Sequence, residues 1–330
     1  MMYHLHDNRP SRYWQTVLAI LQYGLGVVTA LLLLATILVM LTSCHKDLLR
    51  QDLSDVREVC VSYTVPDGRE FLSSIATMRW LVYDSLGHYS CELQMEPKQR
   101  QYFEPSQLPD GQYTAVNVAN ATNRTLFENT ETLNDLALYA NTRQPDGWYS
   151  NVDCLFWQMR QFTVSEGCVE KVEVPLADIH CHLHVHVWWQ GLPQESGQWT
   201  MHLYGVNVAY HAGRNGVVVG GVEHPELVTD ALGEHRINVT PLNFELDGEF
   251  IVFRWTDSNV PKFQIKCNDQ EASPLIDINQ VFDEWKWSPD NTRAQDYWLG
   301  IQINKDGSAD VQTWGRAKVA DWIDGGIIGY

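Results

Sequence analysis

Two groups of residues have types and spacings that could support chemistry, and the first is Leu41-Thr42-Ser43-Cys44. It closes a stretch, 17–43, that contains no Asp, Glu, Lys or Arg. An apolar segment that ends in small residues and a Cys has the form of a bacterial lipoprotein signal, in which the Cys thiol accepts acyl chains. This predicts that residues 1–43 are a removable signal peptide and that Cys44 carries lipid, including palmitate.

A transmembrane helix is the competing interpretation of this stretch. It approaches the ~20 residues of a bilayer span, whereas the apolar part of a signal peptide is usually about 7–15 residues long. The position of Cys44 and the polar His45-Lys46-Asp47 that follow favour the lipoprotein. Under either interpretation, most of the chain lies outside the cytoplasm, and the true start could lie downstream of Met1.

The second group is His180-Cys181-His182-Leu183-His184-Val185-His186. Side chains alternate along a strand, so the four histidines share one face, and neighbouring imidazoles could share a metal ion. The simpler interpretation is that the aliphatic residues face the core and histidines occupy the other face. Because no carboxylate or third ligand has a recognisable spacing, we predict no metal and no cofactor. Whether His182, His184 and His186 bind metal stays open.

Other catalytic signatures are missing from the sequence. It contains no GxSxG, HExxH, P-loop or dinucleotide-binding fingerprint. The glycine-rich segment 213–221 precedes no convincing helix, so we interpret it as a long hairpin or loop. We therefore predict no catalytic residues and no enzyme activity.

Composition narrows the class of protein further. The 41 acidic and 23 basic residues give a net charge of −18, which argues against a nucleic-acid partner. Besides Cys44, the chain has an even number of cysteines, which permits disulfides in an oxidising compartment. We expect one or two bridges at most, and buried free thiols are an equal alternative. These residues are Cys60, Cys91, Cys154, Cys168, Cys181 and Cys267.

Short alternating segments must position these groups. They predict strands over Val59–Val65, Met78–Tyr83, Gln112–Ala119, Leu155–Val164, Val169–Val174, Cys181–Trp189, Trp199–Tyr210, Arg236–Phe244, Glu249–Trp255, Lys262–Cys267, Tyr297–Ile303 and Ala309–Trp314. Many short strands with few helices predict an all-β fold of sandwiches. We expect a tether over 44–57, an N-terminal sandwich over 58–175 and a C-terminal sandwich over 176–330.

Some connections carry more specific signals. The turn residues 257–261 predict a hairpin between the strands on either side. Ser273-Pro274 predicts a helix start, and this short helix would continue to about Trp287. Residues 120–150 are interpreted as loop, with a possible short helix at 132–139. The tail Asp321–Tyr330 is apolar enough that we expect it to pack back on the sandwich or pair with a neighbouring subunit.

The order of these features resembles the fimbrillin-associated minor fimbrial subunits and anchor lipoproteins of Gram-negative gut and oral bacteria. The resemblance covers roughly residues 44–315. The features that carry it are Cys44, the strand with Cys60 and Tyr63, the segment Trp80–Gly87, the turn and strand from Leu108 to Tyr113, and the late hairpin that ends at Trp314.

The resemblance implies two tandem transthyretin-like β-sandwiches in a membrane-proximal anchor of a fimbrium. It implies lipid attachment to the outer membrane at the cell surface, and fimbrial structural subunits as partners. These would bind by adding a strand to an unpaired sheet edge. Only Cys44 carries over as a functional residue, and His182, His184 and His186 depart from the polar residues usual in that strand.

Two other functions remain open at this stage. A surface glycan-binding lipoprotein of a carbohydrate-uptake system would also be a tethered tandem sandwich. Coplanar exposed tryptophans would favour it, whereas an open strand groove would favour the fimbrial function. A histidine-based metal binder is the third hypothesis.

Overall fold

In the computed structural model, residues 57–66, 69–191, 196–259 and 261–313 are described. The predicted signal peptide, residues 44–56 of the predicted tether and the tail after 313 lie outside these residues, whereas Arg57, the last predicted tether residue, begins a strand. Among the described residues, no helix is long and apolar enough to cross a membrane.

The described chain consists mainly of strands, which confirms the predicted all-β sandwich fold. Residues 57–178 form β1 (Arg57–Thr64), β2 (Met78–Asp84), β3 (Tyr89–Met95), β4 (Arg100–Phe103), β5 (Gly111–Ala119), β6 (Thr125–Glu128), β7 (Ala137–Ala140), β8 (Phe156–Val164), β9 (Cys168–Pro175) and β10 (Ala177–Asp178), with a one-turn helix, α1 (Phe71–Ser74). Residues 180–313 form β11 (His180–Trp189), β12 (Trp199–Asn207), β13 (Ala209–Val219), β14 (Val222–Leu227), β15 (Leu232–Val239), β16 (Glu245–Phe253), β17 (Lys262–Cys267), β18 (Gln270–Glu271), β19 (Ile276–Asp277), β20 (Gln295–Ile303) and β21 (Ala309–Thr313), with helix α2 (Ile278–Trp285).

The first sandwich lies in the N-terminal half. Sheet 1 has the order β4-β1-β9 and sheet 2 the order β10-β8-β5-β2-β3. β1 pairs parallel with β9 and antiparallel with β4. Alternate residues of both sheets meet in one core, which includes Val61, Trp80 and Phe162.

The second sandwich lies in the C-terminal half. Sheet 3 has the order β16-β11-β20-β21, and sheet 4 the order β15-β12-β17-β18. Their inner faces enclose a core that contains Leu183, Met201 and Phe263. Helix α2 closes one end of this core, because Ile278 and Phe282 are spaced by one turn and both are buried.

A further sheet joins the two halves. Sheet 5 has the order β14-β13-β7-β6, so strands from both halves pair directly, with Tyr210 opposite Leu138. It covers the outer face of sheet 2 in a third core with Val116, Trp157 and Tyr210. β10 lies beyond the predicted boundary at 175 and still pairs with β8. The division at 175 stays a prediction.

The predicted helix start at Ser273 is wrong. The helix begins at Ile278, and its N-cap is Asp277, whose carboxylate accepts a hydrogen bond from the Gln280 backbone N–H at 3.2 Å. The Ser273 hydroxyl instead accepts from the Ile265 N–H at 2.8 Å. Ser273-Pro274 does mark a turn. Its hydroxyl, however, accepts a hydrogen bond from a residue of β17 and not from the start of a helix.

The predicted hairpin over 257–261 is also wrong. β16 pairs with β11 in sheet 3, whereas β17 pairs with β12 in sheet 4, so this segment carries the chain across the core. Turn residues mark a reversal of the chain and do not decide whether the flanking strands pair. Segment 213–221 does lie in a hairpin, between β13 and β14.

Other differences between the predicted and the observed elements arise at turns that the sequence pattern did not reveal. The possible helix at 132–139 is a 3-10 turn at Leu133–Asp135 followed by β7. The single strand expected over 199–210 is divided between β12 in sheet 4 and β13 in sheet 5. Strands β3, β4, β6, β7 and β14 and the two-residue strands β10, β18 and β19 were not predicted. None of the six described cysteines forms a disulfide, and of the free thiols only Cys60, Cys181 and Cys267 are buried, as that alternative expected.

Candidate functional site

The histidine strand β11 occupies the middle of sheet 3. It pairs antiparallel with β16 on one side and parallel with β20 on the other. Its backbone is therefore held along both edges, and the direction of each side chain is fixed by the pleat. The strand is a rigid platform for the side chains on its outer face.

The two faces of β11 differ as the alternation predicts. The inner residues Cys181, Leu183, Val185, Val187 and Trp189 are all buried in the core of the second sandwich. The outer face carries the histidines and Trp188. The prediction that the aliphatic residues face the core is confirmed.

His180 lies at the buried end of the outer face and is only 3% exposed. Its Nδ1 is 2.7 Å from Asp178 Oδ1 and 3.0 Å from the carbonyl oxygen of Leu155. Both partners are acceptors, so Nδ1 carries the proton and donates. Asp178 is itself buried and receives a hydrogen bond from Arg69 at 2.6 Å.

The next histidine repeats this arrangement. His182 Nδ1 donates to Glu249 Oε1 at 2.9 Å, and its Nε2 lies 3.5 Å from Cys154 Sγ. A ligand nitrogen of His180 also lies within 4.8 Å of Cys154 Sγ. Two imidazoles thus approach one thiol, and a carboxylate orients the Nδ1 of each.

Cys154 comes from the segment that leads into β8. The neighbouring Asp153 carboxylate accepts from the Thr122 N–H at 2.8 Å and from the Thr125 hydroxyl at 2.7 Å. Asn120 donates its amide to the carbonyl of Cys154 at 3.1 Å. These contacts fix the backbone on both sides of the thiol and hold Sγ against the outer face of β11.

Electrostatics in this cluster favour ion pairs. Burial opposes ionisation of Cys154, but the contacts with His180 and His182 outweigh it and lower the thiol pKa to about 6. Burial likewise disfavours the charged form of His180, but Asp178 raises its pKa to about 10. The pKa of Asp178 lies well below its usual value, because His180 and Arg69 outweigh its burial. A thiolate beside imidazolium is therefore favoured at neutral pH.

The other end of the outer face is more open. His184 stacks on Trp298 with ring centroids 3.9 Å apart, and its Nε2 is 3.1 Å from Asp296 Oδ1. His186 Nδ1 is 2.7 Å from Asp247 Oδ1. A cleft of about 390 Å³ lies over this end and is lined by His184, Val185, His186, Asp247, Gly248, Glu249 and Trp298.

The outer face offers two sets of metal-ligand atoms, each within 4.8 Å of one another. One set is Cys154, His180 and His182, and the other is His182, His184 and Glu249. The first set also has the residue types of a thiol nucleophile with a carboxylate-oriented base. Sequence reasoning recognised the histidines but missed their partners. Asp178 continues the same alternation two residues earlier and could have been found, whereas Cys154 gave no sequence signal.

A second candidate surface lies at an edge of the first sandwich. β3 and β4 are edge strands of sheets 2 and 1. Leu93 on β3 and Phe103 on β4 pack against the core but are only partly buried. Trp80 connects them, because it pairs with Leu93 and makes an edge-on ring contact with Phe103 at 5.3 Å. The core is thus partly open between these two edge strands. The outer edge of β3 is engaged at its start, where the Tyr89 N–H donates to the Glu131 carbonyl at 3.0 Å.

Tryptophan positions bear on the glycan-binding alternative. Among the described residues, no tryptophan side chain is exposed, and Trp80, Trp157 and Trp255 are fully buried. Trp298 is half-buried against His184. The coplanar exposed tryptophans that would favour glycan binding are not found in this part of the chain.

The fold is shared with solved structures. A candidate adhesin from Bacteroides ovatus has a TM-score of 0.59 and 13% identity, over 78% of this chain and 95% of that one. A candidate polysaccharide-binding protein from Bacteroides thetaiotaomicron has a TM-score of 0.55 and 12% identity, over 78% and 98%. The fimbrial anchor protein Mfa2 from Porphyromonas gingivalis has a TM-score of 0.53 and 11% identity, over 78% and 98%. At such identities these likenesses establish the fold alone.

The comparison with protein families is more specific. No curated protein matches the sequence. Residues 59–323 match the family described as fimbrillin-A associated anchor proteins Mfa1 and Mfa2. This is a family of surface- and membrane-associated accessory proteins that act with other fimbrial subunits, and it is not a class of enzymes. Since the match spans most of the sequence, the chain belongs to the family of fimbrillin-A associated anchor proteins.

Proposed function

We propose that this chain anchors a fimbrium to the outer membrane through lipid on Cys44 and binds the neighbouring subunit by strand addition. The observation that carries the proposal is the family match over 59–323, which begins shortly after the lipoprotein-type Cys44. A tether of polar residues between that Cys and β1 would place the sandwiches outside the lipid.

The anchor acts physically rather than chemically. Burial of acyl chains contributes about 0.8 kcal/mol per methylene, so one chain binds only marginally and two or more hold firmly. A multiply acylated Cys44 would keep the fimbrial base on the membrane while the folded part contacts the next subunit.

The edge between β3 and β4 is the docking surface that we assign to the partner. An extended segment of a neighbouring subunit would pair with β3 and place alternate apolar side chains beside Leu93 and Phe103. β3 suits this role because its outward residues Ser90, Glu92 and Gln94 carry only one charge. β9, at the edge of sheet 1, carries three charged residues, which discourage pairing.

Replacing Cys44 with Ala tests the anchoring. In fimbriated cells we expect loss of palmitate labelling, transfer of the protein from the membrane to the soluble fraction, and release of fimbriae into the medium. Cys168→Ala is the matched control, since Cys168 is an exposed cysteine elsewhere in the chain. Normal membrane retention of the Cys44→Ala protein would overturn the proposal.

A photoreactive phenylalanine at Tyr89 tests the docking edge. Tyr89 begins β3 and is 42% exposed, so the probe replaces one exposed aromatic ring with another. We expect crosslinks to a fimbrial subunit from this position and none from the same probe at Leu242, which is 73% exposed away from the edge. Equal crosslinking at both positions would remove β3 as the docking surface.

Leu93→Glu provides an independent measure of the same contact. A charge beside Phe103 should abolish recovery of the partner subunit with this chain, whereas Leu86→Glu, on a surface turn, should leave it unchanged. A thermal melt of each variant separates lost binding from lost folding. Undiminished recovery with a folded Leu93→Glu protein would contradict the assignment.

A further inference from the structure

We propose that Cys154, His180 and His182 bind a Zn²⁺ ion that ties the segment before β8 to the histidine strand β11. The proposal concerns the described chain itself and does not depend on how the protein is anchored. It rests on the ligand types, the spacing of their donor atoms and the residues that orient them.

The donor atoms already have the spacing of a zinc site. Zinc lies about 2.3 Å from sulfur and about 2.0–2.1 Å from nitrogen, so a tetrahedral angle places the two ligand atoms roughly 3.6 Å apart. Cys154 Sγ and His182 Nε2 are 3.5 Å apart, and the donor atoms of all three residues lie within 4.8 Å of one another. A small approach of the side chains would enclose the ion.

The orientation of the histidines suits metal binding, in which the ion would displace the proton on Nε2 of the imidazolium. His180 Nδ1 and His182 Nδ1 each donate to a carboxylate, of Asp178 and Glu249 respectively. Nε2 of each ring is therefore the nitrogen that can donate its electron pair. His182 Nε2 lies 3.5 Å from Cys154 Sγ, and a ligand nitrogen of His180 lies within 4.8 Å of both. Histidines that ligate zinc almost always donate the other ring N–H to a carboxylate, a backbone carbonyl or water, which fixes the tautomer and the ring orientation.

The alternative ligand set on the same face fits less well. It would use His184 and Glu249 with His182, but His184 Nε2 is engaged with Asp296 at 3.1 Å and is 3.9 Å from Glu249. Glu249 is also the group that orients His182 toward Cys154. A catalytic thiol needs only one imidazole as its base. Two oriented imidazoles next to the same sulfur are more typical of a set of metal ligands.

The ion would cross-link two parts of the chain that are distant in sequence. Cys154 belongs to the approach to sheet 2, and His180 and His182 belong to sheet 3. Three protein ligands leave one tetrahedral position for water or an outside ligand, and the partial exposure of Cys154 gives access to it. Zinc is chemically suited because it accepts thiolate and imidazole together without redox change.

The test is a Zn²⁺ titration of the full-length chain in detergent, purified without a histidine tag and stripped with a chelator. We expect a site of one ion per chain that Cys154→Ser weakens by at least 100-fold, as do His180→Gln and His182→Gln. Co²⁺ in place of Zn²⁺ should give a sulfur-to-metal charge-transfer band that Cys154→Ser removes. Asp178→Asn should weaken binding about 10–100-fold, as outer-shell changes do.

Two control variants distinguish this site from binding at other cysteines or at the alternative ligand set. Cys91→Ser removes another partly buried cysteine and His184→Gln another histidine of the same face, and each should change the affinity less than 2-fold. In the wild type, Zn²⁺ should also slow alkylation of Cys154 at least 10-fold, a measurement that needs no variant.

Three results would overturn the proposal. Zn²⁺ binding that survives Cys154→Ser but is lost in His184→Gln would assign the ion to the alternative set. Rapid alkylation of Cys154 that saturating Zn²⁺ does not slow would indicate a reactive thiol only. If the protein is folded, as judged by near-UV circular dichroism, and shows no Zn²⁺ binding that depends on Cys154, the proposed site does not exist.

Discussion

The inner and outer faces of β11 are carried by one backbone but are stabilised in different ways. On the inner face, Leu183 and Val185 pack in a core where any apolar side chain of similar volume finds neighbours. On the outer face, His180 contacts the carboxylate of Asp178, two residues earlier, and His182 contacts that of Glu249 on β16. Burial of apolar area needs no particular partner, whereas hydrogen bonds and ion pairs need one partner in one direction.

The outer face also changes along its length. At its start, the His180–Asp178 pair is almost fully enclosed, with both side chains less than 5% exposed. Four residues further, the Asp296 partner of His184 is 58% exposed. Buried charges depend on their partners far more than exposed ones do, so the two ends should respond very differently to the same kind of substitution.

Asp178→Ala should have the largest effect, because it leaves the His180 charge buried without its carboxylate. We expect the free energy of unfolding to fall by about 3–5 kcal/mol, measured by chemical denaturation at pH 7. Asp296→Ala removes the matching carboxylate at the open end and should cost about 1 kcal/mol or less. Equal losses would show that the buried and open ends do not differ.

Leu183→Ala and His184→Ala compare adjacent positions on the two faces. Leu183 is fully buried, so its truncation leaves a cavity and should lower the free energy of unfolding by about 2–5 kcal/mol. His184 is partly exposed, and its loss should cost roughly 1 kcal/mol through the contact with Trp298. A larger loss for His184→Ala would mean that the outer face contributes more than the core.

The buried pair should also give stability a pH dependence. The folded pKa of His180 is raised to about 10, above its unfolded value of about 6.5, so its stabilising contribution is fully present below pH 6.5 and is lost as pH rises toward 10. The lowered pKa of Asp178 keeps its contribution present above about pH 3.9. The stability difference between wild type and Asp178→Asn should therefore be largest near pH 6.

Denaturation curves of both proteins between pH 5 and 10 provide the measurement. The difference in free energy of unfolding between wild type and Asp296→Asn serves as the control, because the Asp296 carboxylate lies at the open end. A wild-type advantage over Asp178→Asn that stays constant up to pH 10 would contradict the coupling of His180 to Asp178.

The smallest effect concerns the stacked pair at the open end. His184 and Trp298 lie nearly parallel, at an angle of 16°. A double-mutant cycle with His184→Ala and Trp298→Ala should give a coupling energy of about 0.5–1.5 kcal/mol. The same cycle with Trp188→Ala in place of Trp298→Ala should give a smaller coupling energy. A larger coupling energy with Trp188 would show that His184 is stabilised by a different contact.

The sequence predicted strands well where the alternation was regular. β5, β11, β17 and β20 lie within a few residues of their predicted ranges, because a half-buried strand must alternate. The weakly alternating β3 and β4 were missed, and both are edge strands with exposed residues. The helix start was wrong because Ser273 and Asp277 are both good N-caps, and packing of Ile278 and Phe282 selected the second.

The candidate site was only half predictable. The histidines and their common face follow from residue spacing along one strand. Their partners are distant in sequence: Cys154 precedes β8, and Glu249 lies on β16, opposite His184. Such contacts depend on strand order and register, which no local pattern specifies.

By itself, then, the sequence determined an all-β fold and the two faces of β11, since each depends on neighbours within a few residues, whereas the lipid on Cys44 stays a prediction. Only the tertiary structure decided that β16 and β17 belong to different sheets and that sheet 5 joins both halves. It also decided that a thiol and two oriented imidazoles meet on one surface. The physical reason is that hydrophobic alternation selects which side of a strand is buried, whereas the identity of its neighbours is selected by the packing of the whole chain.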